Sequence, residues 1–195
     1  NDFEQKKNKY HKLDKFEESS INLMNDKFKD IEKKSKIERV SDELEKGKEF
    51  SNWYKKDLLY QISLKYSPTK RRHDYLKRYN DHFFPIRENV KKILEIGVDR
   101  GESLAIWQEY FPNAEIYGLD IDPNCKKYEK DRIKIIIGDQ NNREFLNKIS
   151  EEIKKFDIII DDGSHSHEHI VTSFTSLYPY LNNKGYYVVE DVINN

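Results

Sequence analysis

The sequence has little of what several common protein classes require. It contains one cysteine, Cys125, so no disulfide can form within the chain. A reducing compartment is compatible with this, and we predict a cytoplasmic location. No apolar run approaches the roughly 20 residues that a helix needs to cross a bilayer. No signal peptide opens the chain, and it starts at Asn1 rather than Met, so we expect a fragment or a processed chain.

Neither sign of charge dominates the chain. It has 35 Lys and Arg against 36 Asp and Glu, which gives a formal net charge of −1. A nearly neutral chain gives no electrostatic reason to expect nucleic acid or a membrane as its main partner. Hydrophobic and charged residues each make up 36%. The apolar residues must therefore be concentrated in one part of the chain if a core is to form.

The chain changes character along its length, which predicts three parts. Residues 1–50 are rich in charge, with sparse apolar positions at three- and four-residue steps, and this pattern predicts a helical extension. The extension could bind a second copy or a partner helix, or it could lie on the main domain. Residues 51–89 form a predicted helical lead-in and lid, with one helix over 51–66 capped by Ser51 and another over 73–84.

Residues 90–195 carry the fold signal. Five short apolar runs are predicted strands: "VKKILEIGV", "AEIYGLDID", "RIKIIIGD", "FDIIIDD" and "GYYVVEDV". Three of the segments between them are predicted helices: "ESLAIWQEYF", "NREFLNKISEEIKK" and "HEHIVTSFTSLYPYL", the last closed by "NNKG". Strands that alternate with helices predict an α/β fold with a doubly wound parallel sheet.

The turn after the first strand, "EIGVDRGES", departs from a dinucleotide site. A G-x-G-x-x-G fingerprint counted from Gly97 would need glycine where Asp99 and Glu102 stand. Carboxylates there would repel a pyrophosphate, so an NAD-dependent oxidoreductase is disfavoured. Gly97 and Gly101 in this spacing suit a nucleoside that carries an amino acid instead.

Acidic residues end the next two strands. Asp120 ends the second strand, where a carboxylate can accept both ribose hydroxyls. Asp139 ends the third, in "GDQ", where it could reach an adenine amino group. The predicted cofactor-binding set is Glu95, Gly97, Gly101, Ser103, Asp120, Asp139 and Gln140.

Carboxylates also follow the fourth and fifth strands. Asp162 stands after the fourth, and Glu190 and Asp191 follow the fifth. The ends of neighbouring parallel strands lie side by side, so these carboxylates should converge and repel unless a cation joins them. Oxygen ligands favour Mg²⁺, which can lower the pKa of a bound hydroxyl. His165 lies close enough in sequence to take that hydroxyl proton as general base.

Simpler interpretations exist for several residues of the chain. His165, His167 and His169 could form a zinc cluster, but His167 would point away and no further ligand lies nearby in sequence. We expect His167 and His169 to be surface residues at a helix start. Asp161 could simply cap that helix. The basic run Lys70–Arg72 is expected to be a solvated face, and any ligand bound by this run would be a cofactor carboxylate or an anionic sugar.

These motifs resemble a known family. Residues 90–192 are similar to class I S-adenosylmethionine-dependent methyltransferases, with their Rossmann-like sheet. "IDDGSH" and "YYVVED" resemble the Mg²⁺-dependent sugar O-methyltransferases of macrolide and polysaccharide tailoring. The lead-in of that group is matched at Tyr66, Lys70, His73 and Tyr75, whereas Ser67, Pro68 and Thr69 depart from it. The resemblance covers about residues 60–192.

The resemblance implies a function and the same site roles. S-adenosylmethionine and Mg²⁺ would be the cofactors, with metal ligands Asp162, Glu190 and Asp191, general base His165, and a small-molecule or glycan hydroxyl as acceptor. The superfamily usually has seven strands, so we expect a sheet truncated after strand five. That expectation leaves open a second function, a catalytically silent methyltransferase-like module used for binding or scaffolding.

Overall fold

The structure, a computed structural model, describes residues 57–66, 70 and 75–192. The predicted extension over residues 1–50 and the predicted cap at Ser51 lie outside these residues. Within them, no helix is both long enough and apolar enough to cross a membrane.

Five α-helices and five strands alternate along most of the described chain. The helices are α1 Leu58–Ser63, α2 Tyr75–Phe83, α3 Glu102–Tyr110, α4 Arg143–Ile153 and α5 His167–Leu177. The strands are β1 Lys92–Ile96, β2 Glu115–Asp120, β3 Ile133–Ile137, β4 Phe156–Asp161 and β5 Leu181–Val189. Short 3₁₀ turns span Phe84–Ile86, Pro123–Tyr128 and Tyr178–Tyr180.

The strands form one parallel sheet in the order β3-β2-β1-β4-β5. The chain runs outward from β1 to β3 and then crosses back to place β4 on the other side of β1. The loops at the carboxyl ends of β1 and β4 therefore diverge, and ligands bind in such a crevice in open α/β sheets. The predicted doubly wound α/β fold is confirmed.

Each face of the sheet carries its own apolar core. On one face α1, α2 and α3 pack with Ile93 of β1 and Ile158 of β4. On the other, α4 and α5 pack with Leu94 and Ile159. Alternate strand residues point to opposite faces, so Glu95 falls on the same face as Ile93. The Glu95 carboxylate is therefore buried in the apolar core between the sheet and α3.

Two predicted element boundaries need correction. Helix α1 begins at Leu58, after Asp57, whose side chain accepts a hydrogen bond from the Tyr60 N–H at 2.7 Å. This cap interrupts the longer helix predicted over 51–66, because the N-cap residue has an extended backbone. The helix also ends earlier, at Ser63.

The segment "NNKG" does not close the helix before it. Helix α5 ends at Leu177, and a 3₁₀ turn containing Pro179 follows, because proline cannot continue an α-helix. The four residues belong to β5 instead. Phe156 pairs with Leu181 while Ile158 pairs with Tyr186, so they form a bulge at the start of the strand.

Candidate functional site

The turn from β1 into α3 needs both of its glycines. Gly97 has φ +93°, and a Cβ placed there would lie 2.1 Å from the backbone carbonyl oxygen of Asp162. Gly101, directly before α3, has φ +70°, and a Cβ there would meet the Tyr128 side chain at 2.8 Å. The loops after β1 and β4 thus touch backbone to backbone at Gly97.

We expect Gly97→Ala to destabilise the protein by about 3 kcal/mol or more, because left-handed strain adds to a backbone overlap that cannot rotate away. Gly101→Ala is the matched control: it carries similar strain but meets a side chain that can move, so its cost should be smaller. Urea unfolding of both variants measures the difference. Equal losses would contradict the importance of the contact with Asp162.

A cleft of about 490 Å³ opens at the carboxyl ends of β1 to β4. Of the predicted cofactor-binding residues, those that line it are Gly97, Ser103, Asp120, Asp139 and Gln140. Gly101 and Glu95 do not line it; Gly101 shapes the turn, and Glu95 is fully buried behind the wall. The structure therefore gathers most of the predicted set at one concave surface.

Asp120 organises the glycine turn as well as facing the cleft. Its carboxylate accepts hydrogen bonds from the backbone N–H groups of Val98 at 2.7 Å, Asp99 at 3.3 Å and Asp122 at 2.9 Å. Burial would raise the pKa of Asp120, but these backbone hydrogen bonds hold it below its usual value. The side chain is therefore an ionised acceptor that lines the cleft.

The Gln140 side chain connects the loops after β3 and β4. Its Nε2 donates to Asp161 Oδ1 at 3.1 Å, and its Oε1 accepts from the Ser164 N–H at 2.8 Å. Ser173 also donates to Asp161, which is 1% exposed. Burial raises the pKa of Asp161, while the hydrogen bonds from Ser173 and Gln140 lower it. Asp161 therefore orients the Gln140 amide and does not cap α5, contrary to the sequence expectation.

Lys70 contradicts its predicted place on a solvated face. It is 3% exposed, and its Nζ lies 2.6 Å from Asp162 Oδ2, 2.6 Å from Glu190 Oε1 and 3.1 Å from Glu95 Oε1. Burial would lower the pKa of Lys70, but the three carboxylates raise it above its ordinary value. Carboxylates so poorly exposed are tolerated only when they are paired, and Lys70 supplies the pairing charge.

The two carboxylate oxygens of Glu95 have different partners, with Oε1 near Lys70 and Oε2 bound by α3. Its Oε2 accepts from Ser103 Oγ at 2.8 Å and from Trp107 Nε1 at 3.1 Å, and both donors belong to α3. Burial raises the pKa of Glu95, whereas Lys70 lowers it. Glu95 therefore contacts the cleft indirectly, through neighbours that line it such as Ser103 and Lys70.

The predicted metal ligands lie at the same edge of the sheet, but Glu190 and Asp191 belong to two different groups that share Asp162. In one, ligand atoms of Glu95, Asp162 and Glu190 lie within 4.8 Å of one another; in the other, those of Asp162, His165 and Asp191 do. Lys70 contacts the first group. Burial and the charge of Asp162 raise the pKa of Glu190 to about 7, although Lys70 lowers it.

His165, the predicted base, belongs to the second group. It has φ +58° and Asp191 has φ +51°, both in the left-handed region where such residues are uncommon. The Nδ1 atom of His165 is buried, and no hydrogen-bond partner reaches it from the described residues. Tyr75 donates to Asp191 Oδ1 at 2.6 Å. Two strained backbones thus hold an imidazole beside two carboxylates.

The three histidines do not come together. His167 is exposed, as predicted, but His169 is half-buried, lines the cleft and lies 2.8 Å from Ser164 Oγ through its Nδ1. Neither joins a group of metal-ligating side chains in the part of the chain that the structure describes. The zinc reading therefore gains no support.

The chain is similar to several known methyltransferases. A family model described as "Methyltransferase domain" matches residues 94–192. Mycinamicin VI 2''-O-methyltransferase of Micromonospora griseorubida is 42% identical over 127 residues, 62% of this chain and 32% of that protein. Demethylmacrocin O-methyltransferase of Streptomyces fradiae is 39% identical over the same shares. The chain spans about a third of the length of these curated relatives.

A solved methyltransferase structure is similar to this chain in both sequence and fold. The MycE methyltransferase from the mycinamycin biosynthetic pathway, in complex with Mg, SAH and mycinamycin VI, superposes with a TM-score of 0.65 at 40% identity. The match covers 68% of this chain and 36% of that one.

Proposed function

Because the chain belongs to the methyltransferase-domain family, we propose that it transfers a methyl group from S-adenosylmethionine to a hydroxyl of a sugar or glycan in a Mg²⁺-dependent reaction. The observation that carries this proposal is the group formed by Asp162, His165 and Asp191, since Asp162 also lines the cleft. A base beside oxygen ligands at the mouth of a nucleoside cleft is what hydroxyl methylation requires. The relatives are named as O-methyltransferases, and the name of one of them specifies a rhamnosyl tetracenomycin, which supports the acceptor class.

The same group favours an enzyme over a silent binding module. A module that only binds the nucleoside has no use for His165, whose Nδ1 is buried without a partner among the described residues. The left-handed backbone at His165 and Asp191 is shared by exposed residues such as Asp131, so the buried Nδ1 atom of His165 carries this argument.

The residues present fit a divalent cation. The ammonium of Lys70 already lies among three carboxylate oxygens, which shows that this edge of the sheet accepts positive charge. Asp162, Glu190 and Asp191 offer the oxygen donors that Mg²⁺ prefers. We propose these three as the residues that would hold Mg²⁺.

The chain's own residues divide the remaining work. When bound, S-adenosylmethionine supplies an electrophilic methyl group and Mg²⁺ supplies positive charge that favours loss of a hydroxyl proton. His165 accepts the proton that the acceptor hydroxyl loses. Gly97 allows close approach of the nucleoside. Asp120 accepts hydrogen bonds from its ribose hydroxyls, and Asp139 accepts one from the adenine amino group. Most of the protein's contribution is positioning.

The proposal is tested by methyl transfer from labelled S-adenosylmethionine to a panel of glycosides with free hydroxyls. Parallel reactions contain Mg²⁺ or EDTA. Label transfer to a sugar oxygen that stops in EDTA supports the proposal. Cofactor binding without transfer to any glycoside would favour the silent module.

We expect Asp120→Ala to weaken S-adenosylmethionine binding at least several-fold, because two ribose hydroxyls lose a charged acceptor and such hydrogen bonds contribute about 1.5–3 kcal/mol. Isothermal titration measures the affinity. Asp131→Asn, at an exposed turn with φ +41°, is the control and should bind as the wild type does. Unchanged affinity in Asp120→Ala would remove Asp120 from the cofactor site.

A further inference from the structure

We propose that Lys70 is a positioning residue that holds the metal-site carboxylates and links them to the cofactor cleft, an inference that rests on the proposed function. In the sequence, the match of Lys70 to the family's lead-in is the one hint of such a role. Its Nζ contacts Glu95 behind the cleft wall, and Asp162 and Glu190 at the proposed metal site. Lys70 also lines the cleft itself.

The Lys70 ammonium is opposite in charge to its three carboxylate neighbours, and it donates hydrogen bonds to two of them, Asp162 and Glu190. A lysine ammonium has three N–H donors and no acceptor. Three carboxylates surround it within 3.1 Å. Glu95 and Glu190 are nearly inaccessible to water, and among the described residues Lys70 is the cation that pairs with them. Removing the ammonium would leave buried carboxylates facing one another.

The donors also select which oxygen of each carboxylate remains available. Lys70 binds Asp162 Oδ2; Lys70 and Tyr79 both bind Glu190 Oε1; and Tyr75 binds Asp191 Oδ1. Within residues 57–66, 70 and 75–192, no donor reaches the second oxygen of any of these three carboxylates. Carboxylates that bind metals are commonly oriented by such outer hydrogen bonds. Lys70 orients two of the three.

A contrary reading is that Lys70 occupies the metal's own position and competes with it. The second group of ligand atoms, from Asp162, His165 and Asp191, argues against this, since no lysine contacts His165 or Asp191 in the described part of the chain. A divalent ion can therefore engage Asp162 and Asp191 while Lys70 keeps its place. The two readings predict opposite changes in metal affinity when Lys70 is removed.

The test compares Lys70→Met, which keeps the length of the side chain but removes its charge, with Lys65→Met. Lys65 is the matched control because it pairs with Glu109 at the surface, with 60% of its side chain exposed. Mg²⁺ affinity of the full 195-residue chain is measured by isothermal titration, with S-adenosylhomocysteine affinity as a second readout. We expect Lys70→Met to lose roughly 10–100-fold in Mg²⁺ affinity and Lys65→Met to lose none.

Lys70→Ala with added propylammonium keeps the test decisive if Lys70→Met does not fold. A free ammonium entering the vacated space should restore Mg²⁺ affinity, which a merely structural loss would not allow. Unchanged or tighter Mg²⁺ binding in Lys70→Met, or no rescue of Lys70→Ala, would overturn the inference while leaving the proposed function intact. A wild-type chain that binds no Mg²⁺ would overturn the metal site and this inference together.

Discussion

Replacing His165 by alanine is expected to lower kcat for methyl transfer by roughly 10²–10⁴-fold, the range that a general base contributes. A sugar hydroxyl is a weak acid, and its proton must leave as the new carbon–oxygen bond forms. His165 lies within 4.8 Å of ligand atoms of Asp162 and Asp191, where that hydroxyl would have to bind. The affinity for S-adenosylmethionine should stay unchanged, because His165 does not line the cleft.

His167→Ala is the matched control, since His167 belongs to the same loop-to-helix segment but is exposed and joins no group of ligand atoms. Steady-state kinetics and Mg²⁺ titration are run on both variants. His165→Ala should keep its Mg²⁺ affinity if His165 acts as the base. A loss of metal affinity would identify His165 as a ligand instead, and a loss of less than tenfold in kcat would exclude it as the base.

The carboxyl ends of the strands could be predicted from the sequence, because the pattern that marks them involves residues adjacent in the chain. A short apolar run followed directly by an acidic residue marks both a strand and its carboxyl end. Asp120, Asp162 and Glu190 all follow this rule, and all three lie at the edge that faces the crevice. Parallel pairing then brings them together without further information. The fold and the general position of the site were therefore predictable.

The contacts that organise the site were not predictable, because they join residues far apart in sequence. Lys70 lies 92 residues from Asp162 and 120 from Glu190. In one sequence, a lysine beside two arginines carries no sign of burial. The role of Asp161 was missed for the same reason, since its hydrogen-bond partners Gln140 and Ser173 lie on other elements. The match at Lys70 to the family's lead-in was the one available hint.

Boundary errors had local physical causes. "NNKG" reads as a helix stop, since Asn and Gly favour helix ends. Proline at 179 had already ended α5, and Asn182 is held instead by its side chain, which donates to Asp157 Oδ1 at 2.7 Å. A bulge leaves no pattern in the sequence that separates it from a turn.

Asp162→Asn is expected to abolish Mg²⁺ binding and methyl transfer together. Asp162 belongs to both groups of ligand atoms, and it is the proposed metal ligand that also lines the cleft. The amide is nearly isosteric, so the backbone contact between Asp162 and Gly97 should survive. The change therefore isolates the charge. The loss of metal affinity should exceed the roughly 10–100-fold typical when an outer hydrogen-bond partner is removed.

The control is Asp157→Asn, which alters a carboxylate at the opposite end of the same strand. Asp157 accepts from the backbone N–H groups of Lys91 and Lys92 at 2.7 and 3.1 Å, far from the carboxyl edge. It could lower stability, but it should leave Mg²⁺ affinity unchanged. Titration with Mg²⁺ and label transfer with and without EDTA are measured on both variants. Asp162→Asn should transfer no more label than the wild type does in EDTA, because both lack the charge that holds and activates the acceptor hydroxyl. Full transfer by the wild type in EDTA would exclude the metal mechanism, and Mg²⁺ binding retained in Asp162→Asn would move the metal away from β4.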